Sequence, residues 1–363
     1  MRPRTKSMHA PSVAIIMLNW NGWKDTCECL ASLLESSYQD FQLILIDNGS
    51  TDGSIDQIKL WAKGELPVSV GLFGIKSKAY VTPLTEYSLE DIEKRDAMPD
   101  PSTHNKMILV TCPENLGFAR GCNVGIRYAI KSGFQYVFLI NNDTIVERFC
   151  LNQLVDYMND QTDIAVSTPL IMYYDKPETI WAYGGKLTFF NRRDMYHMNK
   201  NEKKVQLGTY KEISFISGCA IFARTEVFKK FGLLTENFFF GEEDYELSLR
   251  MKKNHIKMAA LSSAKVYHKV GASNTKIYND DRLPYAFIGY LNRFIDKKNH
   301  CSGNASWKFW RAICLIYILP KLIVMHHYPT NRIYRFAVLL IQTSNRYDRV
   351  DREMFFKAKE LLR

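Results

Sequence analysis

The chain reads as an α/β protein, a mixed, mostly parallel sheet flanked by helices, and three observations carry that reading. Continuous apolar runs of strand length, Val13 to Leu18 first among them, suit strands buried on both faces. Lys24 to Leu34 has apolar residues near helical spacing and is followed by the strand-like Phe41 to Asp47, so the three together form a βαβ unit with a right-handed crossover. The strands end in polar clusters, and ligands of open α/β sheets gather beyond the C-terminal strand ends.

The elements follow in order. The second strand ends in Asp47-Asn-Gly-Ser-Thr-Asp-Gly-Ser54, whose Ser and Asp side chains can cap a helix starting near Ile55. From about 63 to 106 the pattern dissolves into Gly, Pro and charge, an insertion whose local structure the pattern does not assign. Met107 to Cys112 is a third strand, and a helix follows to about Lys131. Gly117, Gly121 and Gly125 line one face of that segment, either for tight packing on the sheet or for the approach of a ligand. Tyr136 to Ile140 is a fourth strand, and Ile164 to Ile171 a fifth, after a helix with Leu151, Leu154 and Val155. Asp47, Asn115 and Asn141 to Asp143 therefore share the C-terminal rim.

The 363 residues suffice for a full core, and 46% hydrophobic with 24% charged residues is ordinary for a globular protein. The charge is uneven. From Leu291 onward there are 14 Lys and Arg against 5 Asp and Glu, which is nearly all of the net +10. A basic, apolar tail suits an anionic lipid surface better than nucleic acid. The eight cysteines lack metal-ligand spacing and point to a reducing compartment. The N-terminal apolar run is too short for a signal peptide, and no stretch has the length of a spanning helix.

No Gly-x-Gly-x-x-Gly follows the first strand and no phosphate loop of the Walker type occurs, which argues against a dehydrogenase or a P-loop enzyme. Seven motifs, "IIMLNWNG", "LILIDNGSTDGS", "ENLGFARGCNVGI", "FLINNDTIV", "FISGCAIFARTEVFKKFGLL", "FFFGEEDYELSLR" and "KVYHKVGAS", resemble in order those of the family 2 glycosyltransferases of the GT-A fold, rhamnosyltransferase-like among them. The resemblance runs from about Ser12 to Ser273. It implies inverting transfer of a sugar from a nucleotide-diphosphate donor, a UDP- or dTDP-sugar, to a hydroxyl of a glycan or polyprenol-linked acceptor.

The resemblance also implies roles. Where the family has Asp-x-Asp, this chain has Asn141-Asn142-Asp143, so the metal-binding carboxylate is kept and the first position is an amide. Asp143 and His268 are then the expected ligands of Mg2+ or Mn2+. Asp244 is the expected general base, with Glu243 beside it as an acceptor contact, and Phe238 to Phe240 are either an apolar wall at the base or part of the core. Asn19, Asp47, Asn115, Gly117, Asn123, Asn141 and Asn142 are expected to bind the donor with Asp143. Arg120 reaches phosphate or is simply solvated. The spacing of Glu246 and Arg250 reads as an exposed ion pair.

The expected boundaries are a catalytic domain over 1–275 and a helical region over 276–363. Trp307 to Tyr328 either lies in a membrane interface, with Lys308, Arg311 and Lys321 toward the headgroups, or packs on the catalytic domain. A cytoplasmic enzyme, peripheral at the membrane, is the leading reading. A nucleotidyltransferase and a non-catalytic sugar-binding module are the alternatives.

Overall fold

The computed structural model describes residues 13–94, 106–188, 193–270, 283–300, 303–324 and 327–362. Ser12 and residues 271–273, the ends of the motif-bearing stretch, lie outside them. Two compact units are formed: Met1–Leu116 with Gly121–Leu234 and Leu247–Val270, and Gly117–Arg120 with Thr235–Glu246 and Gly271–Arg363.

The first unit is built on one large sheet. Val13–Asn19 lies inside it, parallel to Phe41–Asp47 on one side and Tyr136–Asn141 on the other. Every residue of Phe41–Asp47 is buried, as its unbroken apolar run requires. Met107–Thr111 and then Leu84–Ser88 continue the parallel half to its edge. On the other side Ala220–Arg224 is antiparallel, followed by Ile164–Tyr173, Lys257–His268 and the edge strand Tyr210–Ile213. Helices Trp23–Leu34 and Cys150–Asp160 bury Leu30, Leu33, Leu151, Leu154 and Val155 in one core with Phe138 and Phe222.

The insertion thus supplies part of the sheet. Leu84–Ser88 is its edge strand and Leu89–Lys94 a short helix, while residues 95–105 lie outside the described residues. The strand escaped the sequence pattern because no residue in it is fully buried, and its Glu86 faces Lys59 at 2.6 Å.

The glycine row on helix Phe118–Lys131 resolves largely into packing. A Cβ on Gly121 would stand 2.5 Å from Leu18 Cδ1, and one on Gly125 would stand 2.6 Å from Ile16 Cγ2. The helix therefore rests on the central strand at a distance only glycine permits.

The second unit holds helices Leu283–His300, Asn304–Val324, Thr330–Arg346 and Arg352–Leu361 around Phe287, Leu291, Phe294, Leu315, Ile318, Phe336, Leu340 and Phe355. Phe238 is buried in this core, and the rings of Phe239 and Phe240 pack against Phe355. Phe238 thus belongs to the core, as one of the two readings of that aromatic run has it. Arg311 corrects another expectation: it is buried, not turned outward, because it lies over Trp307 and donates to Ser344 Oγ at 2.9 Å and Asn345 Oδ1 at 2.8 Å.

Asn292 and Asp296 interrupt the buried apolar face of Leu283–His300, and exposed His300 follows one turn later. His300 faces Asp296 at 3.4 Å and Glu246 at 3.6 Å, and those hydrogen bonds, Asp296 first, hold its pKa up at about 10 against burial. A folded-state pKa raised from 6.5 adds stability that is complete below pH 6.5 and is lost as pH rises through about 10. We expect His300→Gln to flatten the decline in unfolding free energy between those limits, measured by denaturant titration. A parallel decline in both proteins would remove His300 from the linkage.

Candidate functional site

Strand register gathers the first group of residues. Asn19 pairs with Asp47, Leu18 with Asn141, and Asp47 with Thr111, so four strands end within a residue of level. Asn19 is fully buried and saturated: its Nδ2 donates to Asp47 Oδ2 at 2.7 Å and Ser50 Oγ at 3.1 Å, and its Oδ1 accepts from Thr26 at 2.8 Å. Asp47, also fully buried, accepts the Ser50 amide at 2.9 Å through its other oxygen. Asp47 therefore sets the turn after its strand, whatever else it binds. Asn115 accepts from Asn48 at 3.0 Å, and Asn48 in turn accepts the Leu116 amide at 2.9 Å. Asn123 is buried with both ends of its amide clamping Leu234, at 2.9 and 3.0 Å. That geometry spends it on holding the chain.

Asn142 donates to Thr26 Oγ1 at 2.9 Å, while the Oδ1 of Asn141 is buried with no hydrogen-bond partner. Thr26 thus bridges Asn19 and Asn142, a role no motif reading assigned. Its position on the inner face of the first helix was the available signal.

Asp143 and His268, far apart in the chain, are brought together by a short hairpin-like pairing. Strand Thr144–Val146 runs antiparallel to Lys257–His268 with His268 opposite Thr144, and the Lys269 amide donates to the Asp143 carbonyl at 2.9 Å. His268 Nε2 lies 3.1 Å from Asp143 Oδ1, and both residues are buried, at 7% and 6% exposure. Trp181 meets the His268 ring edge-on at 4.6 Å between centroids. Burial works to lower the pKa of His268, yet it is held up at about 10 by its neighbours Cys219 and Asp143. Burial raises the Cys219 thiol, which keeps it uncharged, so the attraction that counts is to Asp143.

The pair fits a divalent cation. Asp143 Oδ1 and His268 Nε2, 3.1 Å apart in a buried place, have the spacing of two neighbouring ligands of one cation, which stand about 3 Å apart when each is about 2.1 Å from the ion. No cluster of three His, Cys, Asp or Glu among the described residues could hold a metal by itself. An ion held by this pair would need further oxygen ligands, such as donor phosphates or water.

The second group surrounds the start of helix Glu243–Lys253. Glu243, Asp244 and Glu246 crowd its first turn, where the helix dipole favours carboxylates. Glu243 and Asp244 are half-buried, whereas Glu246 is buried and not the surface residue its spacing suggested. The loop before them is held from helix Leu283–His300. Asn292 donates to the Phe240 carbonyl at 2.9 Å, and Arg293 grips Glu242 through Nε to Oε1 and Nη2 to Oε2, the latter at 3.1 Å. Arg293 also covers the Tyr245 ring at 3.3 Å. Glu242 sits at φ +78°, a conformation few L residues accept without such support. Gly117, at φ +85°, leaves room for the Phe239 carbonyl, 2.4 Å from where its Cβ would be. Arg120 is exposed.

Comparison with known proteins identifies the family and the fold. Residues 89–282 match the family described as glycosyltransferase like family 2, and residues 12–73 match glycosyl transferase family 2. The chain is 23% identical over 172 residues to the dTDP-rhamnosyl transferase RfbF of Shigella flexneri, a stretch covering 47% of this chain and 55% of that protein. Among solved structures it resembles GalNAc-T7 with UDP, GalNAc and Mn2+ at TM-score 0.51 and 14% identity, over 89% of this chain and 59% of that one. It also resembles S. aureus TarS 1-349 at TM-score 0.50 and 12% identity, over 96% of this chain and 87% of that one. The chain thus spans little more than half the length of RfbF and of the GalNAc-T7 chain.

Proposed function

The chain belongs to glycosyltransferase family 2 and has the GT-A fold, and from that premise we propose an inverting transferase that moves a hexosyl or deoxyhexosyl group from a UDP- or dTDP-sugar to a hydroxyl of a surface glycan or polyprenol-linked acceptor. Rhamnose from a dTDP donor is the favoured case, on the likeness to RfbF. The reading includes a peripheral place at the cytoplasmic face of the membrane.

Asp143 and His268, paired at 3.1 Å on the rim, are the observation that carries it. In our reading these two residues hold Mg2+ or Mn2+, which would offset the charge building on the departing diphosphate. Asn141 and Asn142 stand beside them as uncharged donors for the ribose and sugar, and Asn115 and Gly117 continue the donor wall. Asp47 and Asn19 shape the turn against which the nucleoside rests. Asp244 accepts the proton of the acceptor hydroxyl as that oxygen bonds to the anomeric carbon, and the bond from that carbon to the phosphate oxygen breaks. Glu243 orients the acceptor. A nucleotidyltransferase and a silent binding module, the alternatives raised by the sequence, gain no support from the family match.

Calorimetric titration of UDP and dTDP with Mn2+ tests the metal pair. His268→Ala should weaken metal-dependent nucleotide binding at least about tenfold and leave binding without metal unchanged. Equal Mn2+ dependence in parent and variant would take His268 out of the site. The donor itself is identified by which nucleotide sugars raise the melting temperature.

A further inference from the structure

We propose that the outward face of helix Asn304–Val324 is a docking surface for an anionic lipid membrane, with the helix lying in the plane of the interface. Phe309, Ile313, Ile316, Tyr317 and Val324 are 70, 41, 75, 61 and 69% exposed. At 3.6 residues per turn these five positions fall within about 100° of arc. The opposite face, with Trp307, Arg311, Leu315, Ile318 and Leu322, is the one buried in the helical unit. Among the described residues the helix is therefore apolar on two sides, one buried in the helical unit and the other exposed.

Charge decides what covers the other side. Lys308 and Lys321 are both exposed and flank the stripe on opposite borders, the arrangement in which lysine stems lie along apolar surface and the ammonium groups meet headgroup phosphates. The chain from Leu291 onward carries 14 basic against 5 acidic residues. A second copy docked on the same face would bring like charges together along the seam. No helix of the described residues is long and apolar enough to cross a bilayer, so the helix lies on the surface and does not span it. The two flanking lysines replace the set of three that the sequence pattern suggests, since Arg311 is bound within the bundle.

This proposal rests on the transferase reading for its purpose, which is to bring the enzyme to a lipid-borne acceptor. Its test needs neither donor nor acceptor. The full chain is sedimented with vesicles of phosphatidylcholine alone and with phosphatidylcholine containing phosphatidylglycerol. It should bind the anionic vesicles and lose most of that binding in high salt. Lys308→Gln combined with Lys321→Gln should lower the partition coefficient roughly 30-fold, and Ile316→Glu at least about tenfold. Far-UV circular dichroism and nucleotide titration should stay at parental values in both variants. No binding of the parent to anionic vesicles, or equal binding by the parent and both variants, overturns the proposal. So does a dimer in analytical ultracentrifugation that Ile316→Glu dissolves while vesicles remain unbound. Loss of nucleotide binding by the parent would instead strike the transferase reading and leave the vesicle result standing.

Discussion

Asp244→Asn should lower turnover by about 10² to 10⁴ while nucleotide affinity stays within a factor of about two. Asparagine keeps the size of the side chain and its place in the first turn of Glu243–Lys253. It cannot take the proton released when the acceptor oxygen attacks. A loss confined to the base appears in kcat and kcat/KM alike, because the interaction belongs to the transition state. Glu243→Gln, by contrast, should act mainly on the KM for acceptor. Initial rates at varied acceptor, together with calorimetry of the nucleotide, separate the two. An Asp244→Asn protein with near-parental turnover would end the assignment, and one that no longer binds nucleotide would point to misfolding.

The parallel half of the sheet was legible in the sequence because its strands are buried on both faces and announce themselves as unbroken apolar runs. Phe41–Asp47 matches its expected bounds, and Val13–Asn19 and Tyr136–Asn141 extend one residue past theirs. Leu84–Ser88 was illegible for the opposite reason, as an edge strand with alternate residues in water. The nearness of Asp143 to His268 came from family resemblance alone. No local pattern shows that Thr144–Val146 will pair with a strand more than a hundred residues later. Asn123 shows the converse: its motif position suggested a ligand contact, and its geometry reveals a strut to Leu234. The exposed residues of helix Asn304–Val324 were partly legible as a mixture of aromatics and bases. Which basic residues face outward depends on helix packing, and packing turned Arg311 inward.

Replacement of Glu242 by Ala should destabilise the protein by about 3 to 5 kcal/mol, because it strands Arg293 without its counter-charge in a buried place. Burial opposes the charge on Arg293, and Glu242 more than repays it, keeping the guanidinium protonated. The pair also fixes Glu242 at φ +78°, two residues before Asp244. Removing both charges should cost less than removing one, since Arg293→Met leaves no orphan for Glu242→Ala to expose. Denaturant unfolding of the two single variants and the double variant measures the coupling, which should be favourable by more than about 1 kcal/mol. Turnover supplies an independent reading. A loop that drifts by about 1 Å costs on the order of 10²-fold in rate, so the double variant should fold well and still turn over slowly. If it recovers both stability and rate, the pair serves the fold only; if Glu242→Ala is as stable as the parent, the loop is anchored elsewhere, with Asn292 and its bond to the Phe240 carbonyl the first place to look.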